Sequence, residues 1–120
     1  MYNYKARVLN IVDGDTLDIL IDLGFNITIK ERVRLYGVDT PESRTRNLEE
    51  KKKGLAAKQF VKDWLDDAEV EITTEEKGKF GRYLAIIYVP GVNAKVNFNK
   101  MLITEGHARE YFGEKKKGWG

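Results

Sequence analysis

Hydrophobic and polar positions alternate along the first third of the chain. Tyr4 to Val12 is rich in β-formers and runs into Asp13-Gly14-Asp15, a tight-turn signal that predicts a hairpin. In the next run Leu17, Ile19, Ile21 and Leu23 alternate with Asp18 and Asp22, so one face of a second strand is apolar. Asp15 shares the parity of those apolar residues, which sets a carboxylate on the inward face at the strand's mouth. Ile27, Ile29, Val33 and Leu35 then alternate with Thr28, Lys30, Arg32 and Arg34, predicting a third strand with one apolar and one basic face, ended or kinked by Gly37.

The period changes after that. Ser43 to Gly54 (SRTRNLEEKKKG) is charged and aperiodic and reads as an exposed loop. Ala57, Phe60, Val61, Trp64, Leu65 and Ala68 recur at three- and four-residue spacing, predicting an amphipathic helix over Leu55 to Asp67. Trp64 is expected to anchor that helix in the core rather than to stack on a base. Glu69 to Thr74 alternates again as a fourth strand, and RYLAIIYV is a fifth, stopped by Pro90-Gly91. Asn97 to Glu105 reads as a short helix capped by Asn97 and ended by Gly106. The order of three strands, a helix, two strands and a helix predicts an α+β, mainly β fold: a five-stranded OB-fold Greek-key barrel with two flanking helices.

Composition narrows the chemistry. With 120 residues the chain has room for one core. No stretch approaches the roughly 20 apolar residues that cross a bilayer, and no membrane partner is expected. MYNYKARVLNIV runs straight into the alternating pattern, so no secretion signal is expected in the chain as written. The absence of cysteine excludes disulfides, thiol catalysis and thiolate-held metals. A lone histidine, His107, argues against a His-rich site and is assigned to structure or surface. Any metal would be hard and held by oxygen. The net charge of +2 requires any nucleic-acid binding to come from a local patch. Lys51 to Lys53 and Lys115 to Lys117 form such runs, which are either solvated surface or a guide for a polyanion.

Each candidate motif has an ordinary explanation on its own. VDGDT is a hairpin turn with solvated carboxylates, DTPE can start a helical turn, and Arg34 and Arg82 can be exposed strand residues. Together they offer two carboxylates near strand ends, two arginines able to clamp a phosphate, and Glu42 to orient or deprotonate a water. These are the parts of a metal-assisted phosphodiester hydrolase.

VDGDT, RLYGVDTPE and KFGRYLAIIY, in that order, resemble the staphylococcal nuclease family over about Tyr4 to Phe112. The resemblance implies calcium-dependent cleavage of DNA and RNA, single strands preferred, leaving 3′-phosphates, by a chain expected to act as a monomer. Asp15 and Asp39 then match calcium ligands, with Thr40 binding through its backbone carbonyl. Arg34 matches the arginine on the scissile phosphate, Glu42 the proposed general base, and Arg82 the arginine at the leaving 5′ oxygen. Asp13 is expected to support the turn rather than bind the ion. Lys79 and Phe80 fall where the family places a lysine and a tyrosine near a terminal phosphate, although phenylalanine lacks the hydroxyl. Tyr111 and Phe112 lie near the base-stacking aromatics. The expected nuclease domain spans residues 1–113, with 114–120 a basic tail where the family usually adds a further helix. The competing expectation is an OB-fold that binds single-stranded nucleic acid without turnover; a domain with no nucleic-acid role is disfavoured by the retained acids and arginines.

Overall fold

The computed structural model describes residues 2–77, 83–114 and 118–119, for residues 2 and 75–77 the backbone alone. Its elements are β1 (Tyr2–Asp13), β2 (Thr16–Asp22), β3 (Thr28–Leu35), β4 (Val38–Asp39), α1 (Leu48–Leu65), β5 (Glu69–Lys77), β6 (Tyr83–Val89), β7 (Val96–Asn97), α2 (Phe98–Thr104) and β8 (Arg109–Glu110). The main sheet runs β3-β2-β1-β5-β6-β7 and closes through a parallel pairing of β3 with β6, Val33–Leu35 against Tyr83–Ala85. Five strands therefore form a closed barrel flanked by two helices, mainly β, as the alternation predicts. Among the described residues no helix is long and apolar enough to cross a membrane.

β1 serves both halves of the barrel, pairing with β2 and with β5. Its register against β2 shifts between Val8 and Asn10 and again between Ile11 and Asp13, two irregularities that bend so long a strand around the barrel. Val8, Leu17, Ile19, Val33, Leu35, Ile72 and Ile87 fill the interior. Val61 and Leu65 of α1 and Phe98 and Leu102 of α2 complete the core. Asn99 is buried among these apolar residues because every polar group finds a partner: Oδ1 accepts from Ile87 N, and Nδ2 donates to the carbonyls of Tyr36 and Ala85.

Three local expectations change. α1 begins at Leu48, inside the segment read as loop, because Asn47 Oδ1 accepts from Glu49 N and Glu50 N, both at 3.1 Å, and Glu49 and Glu50 suit the positive end of the helix. Its first turns are polar all round, so they carry no apolar period. The helix ends at Leu65, with Asp66 as cap and Asp67 in the left-handed region at φ 54°. Ile27 and Ile29 do not face the core, since the β2–β3 hairpin projects beyond the barrel and only Val33 and Leu35 of that face are buried. The hairpin turns through Gly24, Phe25 and Asn26, all at positive φ. Trp64 is half exposed and touches Phe98 from the rim, with ring centres 6.4 Å apart. His107, expected in structure or at the surface, packs on Phe60 with ring centres 4.7 Å apart. α2 starts at the Asn97 cap and ends before Gly106 at φ 80°, as predicted.

Candidate active site

The β1–β2 turn places Asp15 at the barrel mouth, where its carbonyl accepts from Leu35 N at 2.9 Å and so ties the turn to the end of β3. Gly37, at φ 77°, then reverses the chain so that β4 carries Asp39 back past Arg34. Two close approaches press these segments together. A Cβ on Gly14 would meet the Thr40 side chain at 2.9 Å and Ala57 Cβ at 3.0 Å, and one on Gly54 would meet the Glu42 backbone at 2.4 Å. Glycine at both positions lets the turn pack directly on the Thr40 side chain and α1 on the Glu42–Ser43 backbone. Glu50 adds a hold, its carboxylate accepting from Glu42 N at 3.2 Å.

The result is a convergence of charge. Arg34 Nη2 stands 3.2 Å from Asp39 Oδ1, 3.5 Å from Asp15 Oδ2 and 3.3 Å from the Val38 carbonyl. Asp15 also accepts from Thr16 Oγ1 at 3.0 Å and from Thr40 N at 3.2 Å. Asp39 is nearly fully buried, and its second oxygen takes Arg109 Nε and Nη2 at 3.3 and 3.1 Å. A buried carboxylate requires such partners, because desolvation strongly disfavours an unpaired charge. Asp13 stands beside this group. Burial pushes its carboxyl above the usual range and the neighbouring Asp15 charge pushes the same way, while hydrogen bonds from Ser43 and Gly14 oppose the rise.

Asp15, Arg34, Asp39, Thr40, Glu42, Tyr111 and Phe112 line one cleft of about 860 Å³. Arg34 lies over the Tyr111 ring at 5.3 Å, and Phe112 meets Tyr36 edge-on at 5.6 Å while packing against Gly37. Lys79, Phe80, Arg82 and the 115–117 lysine run lie outside the described residues. Arg109 was not anticipated. The available signal was that, after Arg46, the chain uses lysine for every cation except His107 and the arginines at 82 and 109, and arginine is the residue suited to forked contact with a carboxylate.

The donor chemistry suits a hard cation. Among the described residues no cluster of three or more His, Cys, Asp and Glu side chains is present, so an ion here would rest on two carboxylates and be completed by backbone carbonyl and water. Both carboxylates already meet one cationic nitrogen, so their negative charges are directed at a common point. The Thr40 hydroxyl is buried against Gly14 without a hydrogen-bond partner among the described residues, so the threonine would meet an ion through its backbone carbonyl.

A closed five-stranded barrel with an acid–arginine cleft at its mouth defines the class, and the comparisons agree with it. Residues 32–118 match the family described as Staphylococcal nuclease homologue. The chain is 40% identical over 107 residues to a thermonuclease of Staphylococcus intermedius, covering 88% of this chain and 58% of that one. It is 33% identical over 114 residues to a micrococcal nuclease of Shigella flexneri, covering 91% and 59%. An uncharacterized protein of Methanocaldococcus jannaschii is also 33% identical, over 91% of this chain and 60% of its own. The chain belongs to the staphylococcal nuclease family, and it spans about three fifths of the length of these curated relatives.

Proposed function

We propose that the chain is a calcium-dependent, sugar-nonspecific nuclease that hydrolyses phosphodiester bonds of DNA and RNA, prefers single strands and leaves 3′-phosphate ends. The observation that carries this reading is the meeting of Asp15, Asp39 and Arg34 at one guanidinium nitrogen, in a cleft that also holds Glu42. Family membership and nuclease-named relatives support the same reading. Residues 1–113 form the proposed catalytic domain and 114–120 a basic tail, and the chain acts as a monomer.

Asp15, Asp39 and the Thr40 carbonyl are the ligands in this proposal. Calcium held there supplies positive charge against the phosphate and lowers the pKa of bound water. With its two carboxylates otherwise neutralised, Arg34 offers its guanidinium to the non-bridging phosphate oxygens, in the forked geometry that arginine favours. Glu42 orients a water and accepts one proton as the water oxygen bonds to phosphorus. The bond from phosphorus to the 5′ oxygen breaks, and that oxygen leaves as a hydroxyl after taking up a proton. On the family pattern Arg82 would stabilise the leaving oxygen, and Lys79 and Phe80 match positions assigned to a terminal phosphate. Tyr111 and Phe112 line the cleft, and exposed Phe112 offers an aromatic surface to unstacked bases, which favours single strands.

The test is degradation of single-stranded DNA at low salt, with calcium, magnesium or excess chelator, for the wild type and Asp15→Ala, followed by end-group analysis. Calcium-dependent cleavage to 3′-phosphate ends, lost in the variant, is the expected result. Magnesium is expected to serve less well, because it demands tighter octahedral geometry than two carboxylates provide. Binding without cleavage would overturn the nuclease reading, and equal or faster turnover with magnesium would overturn the calcium assignment.

A further inference from the structure

The two oxygens of Asp39 are divided between two arginines of different character. Arg34 faces Oδ1 from the open cleft and is shared with Asp15 and the Val38 carbonyl. Arg109 is committed to Oδ2 through both Nε and Nη2. The backbone delivers it there, because Asp39 and Arg109 sit opposite each other in the β4–β8 ladder. The arginine is then clamped from behind. Its guanidinium carbon lies 4.0 Å from the centre of the Trp119 ring, Nη1 donates to the Gly118 carbonyl at 3.4 Å, and the Trp119 carbonyl accepts from Lys53 Nζ at 3.2 Å. The proposed hydrolysis uses none of these contacts.

The geometry points to Arg109 as a resident counter-ion that competes with the bound cation for Asp39 and thereby sets how tightly the cleft holds calcium. This rests on the proposal that Asp39 is an ion ligand. Three effects act in one direction. The fixed charge of Arg109 repels a divalent ion at the same carboxylate. Its fork occupies Oδ2, so Asp39 offers one oxygen where calcium accepts either one or two. By neutralising Asp39 in the ion-free protein, Arg109 also removes part of the buried-charge penalty that ion binding would otherwise relieve. The stack on Trp119 holds the guanidinium in place, so the competition persists whether or not Arg34 turns to a phosphate.

Calorimetric calcium binding to the full chain without nucleic acid, paired with urea denaturation in chelator, tests this on the wild type, Arg109→Gln, Arg109→Lys, Arg109→Ala and Asp39→Asn. Arg109→Gln keeps an amide donor for Oδ2 but no charge, and should bind calcium about tenfold more tightly while losing ion-free stability. Arg109→Ala should tighten binding at least as much. Arg109→Lys keeps the charge without the fork, should fall between wild type and Arg109→Gln, and carries the test should the uncharged variants fail to fold. Calcium affinity unchanged within about twofold, or weakened, in the folded Arg109 variants overturns the proposal when Asp39→Asn abolishes binding. Wild-type calcium affinity in Asp39→Asn would instead overturn the ligand reading beneath it.

Discussion

Gly54 sets helix propensity against packing. In a solvent-facing helix, glycine to alanine gains about 1 kcal/mol from the restricted unfolded chain and the better helix former. At Gly54 the new Cβ would stand 2.4 Å from the carbonyl carbon and oxygen of Glu42 and 2.6 Å from Ser43 N. That is about 1 Å inside normal contact, and the atoms met are backbone, which cannot rotate away. Overpacking of this kind costs about 1–3 kcal/mol and is expected to exceed the propensity gain, leaving Gly54→Ala less stable by about 1–2 kcal/mol. The displaced segment carries Glu42 and follows Asp39 and Thr40 directly, so a shift of about 1 Å there should lower turnover as much as 100-fold. Urea denaturation and single-stranded DNA hydrolysis with calcium measure the two effects. Ala56→Gly, at an exposed position of the same helix, is the control: it should lose about 1 kcal/mol with turnover intact. A Gly54→Ala protein that gains stability, or one that keeps full turnover, would refute the close approach of α1 to the Glu42 backbone as a constraint on the site.

Arg34→Ala should lower kcat on single-stranded DNA by about 10²–10³-fold, the usual loss for a donor that faces developing charge, and activity within about threefold of wild type would remove Arg34 from the mechanism. Asn99→Ala should destabilise the fold by about 1–3 kcal/mol in urea, since it strands Ile87 N and removes a donor from the Tyr36 and Ala85 carbonyls, the latter keeping Tyr36 N; a loss under about 0.5 kcal/mol would mean that water replaces the amide. The Arg32 hydrogen bond and charge hold Asp18 below the usual carboxylate range, so the stability they contribute is present above the unfolded pKa of about 3.9 and is lost as pH falls through the lowered folded value. The wild type should therefore exceed Asp18→Asn in urea midpoint at pH 7 and lose that margin toward pH 2, and a margin independent of pH would contradict the pairing.

What could be read from the chain follows from how each feature is encoded. The barrel strands were legible because one face of β2 is buried, which writes a period of two into Leu17, Ile19 and Ile21, and because LAIIYV is a short continuous apolar run stopped by Pro90-Gly91. α2 was legible from its two ends, Asn97 and Gly106. The first turns of α1 were not, because they bury almost nothing beyond Gly54 and depend on a cap rather than an apolar face. β4, β7 and β8 are two residues each, too short to carry a period, and exist because tertiary contacts bring their partners alongside. The same limit hid Arg109, whose place beside Asp39 comes from β4–β8 pairing across the chain. The motif residues Asp15, Arg34, Asp39, Thr40 and Glu42 were named from sequence, and the fold brings them into one cleft. The sharing of Arg34 between two carboxylates appears only in three dimensions.

The ladder that joins β4 to β8 links residues 70 positions apart, near opposite ends of the cleft's sequence. A chain emerging from the ribosome has the VDGDT and VDTPE segments in hand long before Arg109 and Tyr111 clear the exit tunnel. Until they do, Asp39 lacks its strand partner and the second of its two guanidinium partners, and the wall formed by Tyr111 and Phe112 is missing. The cleft is therefore completed only when the last-made of its segments docks beside β4.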